Sequence, residues 1–306
     1  MTSGAVGLAT GGQTEVGTLE LVLVKDPRSA FQSEGRIEQE WRALGYTDRP
    51  NMAAAVAEWD AFVGLLESLE VQVVRLPGHE SVGLDSLYTR DASVVCDRGV
   101  ILGRMGKAAR RNEPMALEAA LEELGVPIVG AIEGDGCLEG GDVVWLDERT
   151  IAVGWGYRTN ASGIAQLTEH LHGLVDEVIV AHLPHGHGSG DVFHLMSALS
   201  PVGAHAALVY SPLLSVPFRE SLLERGMDLI EVPDDEFPTL GCNVLAVGPQ
   251  RCVMLAGNPV TRARLEAKHV EVHVFAGQDI CLKGSGGPTC LTRPLRRRAL
   301  DSRKAG

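Results

Sequence analysis

Reactive residue types recur in this chain at the ends of short apolar runs, one polar turn after another. Asp85 and Asp91 stand in LDSLYTRDASVV, Glu139 and Asp142 in GDGCLEGGDVVWL, and His194 in HGHGSGDVFHLMSAL. Asn243 follows in DDEFPTLGCNVLAV, and Cys290 in GQDICLKGSGGPTCLTRPL. A cysteine paired with a histidine supplies a nucleophile and a general acid–base. Carboxylates beside such a pair suit an electrophile that is itself a cation, held by bidentate hydrogen bonds. The turn GSGGPTC that carries Cys290 is rich in glycine, as needed where backbone must approach a substrate closely.

These turns need a frame that brings them together. Five amphipathic helices begin near Asn51, Asn112, Thr159, Pro217 and Pro259. Each leads quickly into a β-branched strand, starting near Val71, Val126, Glu177, Asp228 and Val270. The second helix carries the clearest boundary signals: Asn112 as its cap, Pro114 in its first turn and Gly125 at its end. The unit is helix, strand, turn, strand, repeated at a period of roughly 50 residues with no linker composition between copies. Five such units predict an α/β ring closed around a pseudo-fivefold axis, with every reactive turn pointing at that axis. An open α/β sheet with evenly spaced strands is the alternative.

Composition narrows the function classes. The 306 residues carry 27 Lys+Arg against 40 Asp+Glu, a formal charge of −13, with 45% hydrophobic residues. That hydrophobic content excludes wholesale disorder, and no apolar run approaches the roughly 18 residues of a membrane span. The acidic balance argues against nucleic acid as a partner, where a basic surface is expected. It is compatible with a cationic ligand as well as with simple solubility. Six scattered cysteines form no CxxC pair, which disfavours a zinc ribbon or a thioredoxin-type site. The opening MTSGAVGLATGGQTEVG lacks the basic start of a signal peptide. A reducing cytoplasm and free thiols are therefore expected.

Four segments carry a family resemblance: YTRDASVV, LEGGDVVWL, VFHLMSAL and GGPTCLTRPL. In this order they resemble the motifs of the guanidino-group-modifying superfamily, which holds dimethylarginine dimethylaminohydrolases, arginine and agmatine deiminases, and amidinotransferases. The likeness runs from about Leu19 to Arg298 and is greatest to the dimethylarginine dimethylaminohydrolase branch. It implies a five-bladed α/β-propeller with pseudo-fivefold symmetry. Residues 1–17 read as a flexible N-terminal tail, and 18–306 as one catalytic propeller domain.

The resemblance also implies roles. Cys290 would be the nucleophile, His194 the general acid and then base, and Glu139 the partner that orients His194. Asp91 would hold the guanidinium, Arg110 and Arg158 the α-carboxylate, and Asp85 the α-amino group of an amino-acid substrate. The implied reaction converts dimethylarginine to citrulline and dimethylamine through a covalent thiouronium, with no metal or organic cofactor. The expected partner is a small guanidino amino acid, with no nucleic acid or membrane, and a homodimer is one open oligomeric state. Arginine deiminase and amidinotransferase activities remain alternatives, as does a degenerate propeller that only binds.

Two departures bear on the branch. Deiminases and amidinotransferases of this superfamily carry His-x-Asp, where this chain has His194-Leu195-Met196. A thioether accepts hydrogen bonds only weakly, so Met196 suits N-methyl groups better than bare N–H donors. Conversely, Thr89-Arg90-Asp91 reads like the deiminase motif. The remaining polar residues have plainer readings. Asp142 is expected to be structural, Asn243 to bond turn backbone, and His185 and His187 to lie on a solvated loop rather than a metal. The basic run RPLRRRALDSRKAG is expected to be solvated, and Phe31 to Asn51 is a candidate lid.

Overall fold

Short apolar runs flanked by turns fold as strands, and the strands gather in threes. The computed structural model describes residues 8–186, 188–190 and 193–299. In the first sheet β1 (Thr18–Lys25) lies between β15 (Arg293–Arg298) and β2 (Gln72–Leu76). In the second, β4 (Gly99–Leu102) lies between β3 (Ser93–Cys96) and β5 (Ile128–Ala131). The third places β7 (Thr150–Trp155) between β6 (Val143–Trp145) and β8 (Glu177–His182). The fourth places β10 (Ala206–Val209) between β9 (Leu199–Gly203) and β11 (Asp228–Glu231). The fifth places β13 (Arg251–Leu255) between β12 (Leu245–Gly248) and β14 (Glu271–Phe275).

Every middle strand is antiparallel to the first neighbour named and parallel to the second. A parallel return needs a crossover, and a helix supplies it in each sheet. These helices are Met52–Ser68, Glu113–Glu123, Ala161–His170, Val216–Glu224 and Pro259–Ala267. Asn51 caps the first by accepting from the Ala54 amide at 2.9 Å. Asn112 occupies the corresponding position of the second without capping it. Its side chain donates instead to the Ser81 carbonyl at 3.1 Å.

The apolar residues fix the arrangement of the five sheets. One buried cluster joins Leu21 and Leu23 of β1 to Val95, Val100 and Leu102 of the second sheet. The next joins Val94 and Ile101 to Val143 and Val153 of the third, and another joins Val144 and Ala152 to Leu199 and Ala207 of the fourth. Val202 and Leu208 then meet Val244 and Met254, and Val253 and Leu255 return to Val22 and Val24 of the first sheet. Each sheet thus buries its two faces against its two neighbours, and the ring closes. The fold is a five-bladed α/β-propeller, in which the C-terminal β15 completes the first blade beside β1.

Two expectations change here. Gln13 to Val16, assigned to the tail, are buried, and Glu15 pairs with Arg90 at 3.2 Å. The candidate lid contains a helix, Glu34–Leu44, whose Glu40 accepts from the Leu84 amide at 3.0 Å and whose Leu44 borders the pocket that holds His194 and Cys290. The basic run is not wholly solvated. Strand alternation turns Arg293, Leu295 and Arg297 of β15 inward, and all three are buried.

Candidate active site

The predicted turns meet in one pocket at the ring's axis. Asp85, Asp91, Arg110, Arg158, His194 and Cys290 all line it. Each comes from a segment that enters or leaves a blade strand, as a ring of equivalent turns requires. Glu139 lies just behind, fully buried, and reaches the site through His194.

His194 begins the helical turn Leu195–Ala198, and the Ser197 side chain accepts from its backbone amide at 3.2 Å. Its Nε2 meets Glu139 Oε2 at 2.7 Å, while Nδ1 faces Asp91 Oδ1 at 3.9 Å. Glu139 Oε1 accepts from the Gly106 and Lys107 amides at 2.9 and 3.2 Å, so the carboxylate is fixed from both ends. Burial alone would lower the His194 pKa, but Asp91, Asp142 and Glu139 outweigh it and raise it to about 9. For Glu139, burial opposes ionisation, yet the imidazole hydrogen bond and nearby positive charges hold it below the usual carboxylate range. The pair is an imidazolium on a carboxylate at neutral pH.

Cys290 sits opposite. Asn243 Nδ2 donates to its Sγ at 3.4 Å, and Asn243 Oδ1 accepts from the Thr289 amide at 3.1 Å and hydroxyl at 2.8 Å. Asn243 does bond turn backbone as expected, but it also touches the thiol, a contact its register in the repeat could have signalled. Gly287 leaves the space that Asn243 occupies, since a Cβ there would lie 2.3 Å from Asn243 Oδ1. Burial and then Asp91 push the Cys290 thiol up, against the hydrogen bonds from Thr289 and Asn243. Cys290 is therefore a neutral thiol in the free site.

Asp91 is held by Arg110 at 2.6 Å and by the Gly141 amide at 3.1 Å. Gly141 is required by contact: a Cβ would stand 2.7 Å from Asp91 Oδ1 and 2.9 Å from His194 Cγ. Gly141→Ala is expected to lower turnover about 10²-fold by displacing both groups, with a smaller effect on Tm. Steady-state kinetics beside thermal melting checks this. Asp142 accepts from the Thr159 hydroxyl at 2.6 Å and the Leu195 amide at 2.9 Å. It has a structural position, and burial raises its pKa to about 6.

The two arginines expected at an α-carboxylate are buried and already paired. Arg110 also grips Glu113 at 2.8 Å through Nε and Nη2, and Arg158 approaches Glu139 Oε2 at 3.4 Å. Lys107, not singled out from the sequence, is the more accessible cation. Its side chain is 19% exposed against 4% for Arg110, and its Nζ meets Asp85 at 2.6 Å. Met196 also departs from expectation. The helical turn carries it away from the pocket into the cluster with Val144, Leu199 and Val209.

Ligand atoms of Asp91, Glu139 and His194 lie within 4.8 Å of one another, close enough to meet a cation. His185 bonds the Tyr157 hydroxyl at 2.7 Å, while His187 lies outside the described residues. All six cysteines are free thiols. Among the described residues no helix is long and apolar enough to cross a membrane.

The propeller is that of the guanidino-group-modifying superfamily. A family described as N,N dimethylarginine dimethylhydrolase, eukaryotic, matches residues 31–297, and the chain belongs to that family. It is 33% identical to an N(G),N(G)-dimethylarginine dimethylaminohydrolase of Streptomyces coelicolor, over 79% of this chain and 86% of that one. Among solved structures, a Pseudomonas aeruginosa dimethylarginine dimethylaminohydrolase complexed with citrulline superposes with a TM-score of 0.73. It is 23% identical and covers 90% of this chain and 98% of its own. An amidinotransferase from Microseira wollei superposes with a TM-score of 0.77 at 19% identity, covering 95% and 98%.

Proposed function

We propose that this protein hydrolyses an N-methylated arginine, giving citrulline and a methylamine, with Cys290 as nucleophile. The observation that carries the reading is the single pocket shared by Cys290, His194 and Asp91, with Glu139 bonded to His194 at 2.7 Å. Asp91 receives the guanidinium. The Lys107–Asp85 ion pair matches the head of an α-amino acid: Asp85 takes the ammonium and Lys107 the carboxylate, with Arg158 alongside.

The bound cation lowers the Cys290 pKa by placing positive charge beside a thiol that burial and Asp91 otherwise hold neutral. The thiolate forms the S–C bond at the guanidinium carbon. The C–N bond to the dimethylamino group then breaks as the His194 imidazolium delivers its proton to the leaving amine. A thiouronium remains on Cys290. Neutral His194 next takes a proton from water, the C–O bond forms, the S–C bond breaks, and citrulline leaves.

This sequence of protonation states fixes the pH dependence. The kcat/KM profile follows the free enzyme, whose thiol is raised while His194 titrates near 9. We expect kcat/KM to climb about tenfold per pH unit through neutrality, to level off where His194 loses its proton, and to fall only above the raised thiol pKa. The kcat profile, which follows the bound complex, levels off at lower pH. Coincident, flat profiles across neutrality would contradict substrate-assisted ionisation.

Assays with asymmetric dimethylarginine, monomethylarginine and arginine, quantifying citrulline and the released amine, test the reading. Citrulline with dimethylamine supports it. Turnover of arginine alone would make the protein a deiminase, the reading favoured by the Thr89-Arg90-Asp91 motif and by 28% identity to an arginine deiminase of Listeria welshimeri.

A further inference from the structure

Directly behind the catalytic pocket lies a second polar chamber that the reaction does not use. Arg90 and Asp91 are neighbours with opposite aims. Asp91 lines the pocket, whereas Arg90 donates from Nε to the Thr289 carbonyl at 3.2 Å and reaches the chamber. There it meets Glu15, Arg293 and Arg297 around a small cavity. The four side chains are buried, with Arg293 5% and Arg297 4% exposed.

The charges do not balance. Four arginines line the chamber; Arg296 is paired with Glu20 at 2.9 Å, which leaves three guanidinium groups facing one carboxylate, and Glu15 is engaged by Arg90 through both oxygens, at 3.4 and 3.2 Å. Arg297 Nη1 donates to the Gly17 and Ala246 carbonyls, both at 2.8 Å. Its Nε and Nη2 have no partner among the described residues, and neither do Nε and Nη2 of Arg293. Such buried orphan donors are costly, more so when charged. Burial, and then the charge of Arg90, push both guanidinium groups below their ordinary value, Arg297 to about 10. Arginine does not discharge by losing its proton in a protein, so relief must come from an acceptor.

The geometry of the orphan donors names that acceptor. On both residues the free pair is Nε with Nη2, the side edge of the guanidinium that presents two parallel N–H bonds. Two such edges from alternate inward positions of one strand fit an anion with several oxygens rather than a monatomic ion. We propose that Arg293 and Arg297 form a binding site for a small inorganic oxyanion of the phosphate or sulfate class, on the axis behind the active site. Glu15 of the N-terminal segment occupies part of the same chamber and neutralises Arg90 there.

Thermal melting of the whole chain at constant ionic strength, exchanging chloride for inorganic phosphate, tests the site. We expect a saturable Tm rise of about 2–4 °C by roughly 10 mM phosphate. Arg293→Lys and Arg297→Lys keep the charge but lose the two-donor edge, and each should remove most of the shift. Glu15→Gln removes a competing carboxylate, so the phosphate concentration for half the shift should fall. Crystals soaked in selenate should show an anomalous selenium peak between Arg293 and Arg297. Equal melting in phosphate and chloride overturns the proposal, as does a shift that persists in both lysine variants. A chamber holding only water after the selenate soak overturns it too.

Discussion

Cys290→Ala is expected to abolish citrulline formation, lowering kcat by about four orders of magnitude or more. Among the described residues no other thiol lines the pocket. Cys281, the nearest thiol in sequence, is fully buried, and burial pushes its own pKa well up. Cys290→Ser should be nearly as damaging, because the serine hydroxyl is far harder to ionise than a thiol beside the same cation. Binding should survive in both variants. Asp91, Asp85 and Lys107 are held by Arg110, the Gly141 amide and one another rather than by Cys290. Equilibrium binding of dimethylarginine should therefore change by less than about tenfold, while intact-mass spectrometry finds no covalent adduct. Residual turnover above about 1% of wild type in Cys290→Ala would remove the covalent mechanism.

The ring itself was legible in the sequence because helical and strand periodicities alternate five times at one period, and the strands begin within a residue or two of the expected positions. Convergence of Asp91, His194 and Cys290 followed from that register, and Asp85 joined them. What stayed hidden depended on side-chain direction across the ring. Met196 sits two residues after His194, yet the helical turn begun by His194 sends it into the core. Its thioether therefore cannot discriminate methylated from bare guanidinium by contact in the pocket. The choice of substrate rests on family membership and on the assays above. Lys107 was missed because its partner Asp85 lies on another turn, and an isolated GKAARR segment reads as surface charge.

The basic C-terminal run shows the same limit from the other side. In sequence, RPLRRR is indistinguishable from a solvated tail. Pairing of β15 with β1 turns Arg293 and Arg297 to the axis and leaves Arg298 exposed. Glu15 likewise looked like part of a tail. Its burial follows from Arg90, whose guanidinium needs a counter-charge on the side of the ring away from Asp91.

His194→Ala separates the two halves of the proposed reaction. With dimethylarginine, the first half fails because a dimethylamide is too basic to leave unprotonated, and kcat should fall about 10³- to 10⁴-fold. An analogue with a methylthio group in place of the dimethylamino group needs no such proton, since a thiolate leaves by itself. Asp91 still binds its cationic end, and the Cys290 thiolate still forms under that charge. The thiouronium should then form but persist, because His194 is also the base that activates water. One equivalent of methanethiol should appear in a burst, with a stable adduct on Cys290 by mass spectrometry. Glu139→Gln gives the graded version: His194 keeps a hydrogen-bond partner but loses a neighbouring charge, so its pKa falls below about 9. The pH at which kcat/KM levels off should move down accordingly. Continued steady turnover of the methylthio analogue by His194→Ala would mean that another base serves the second half-reaction.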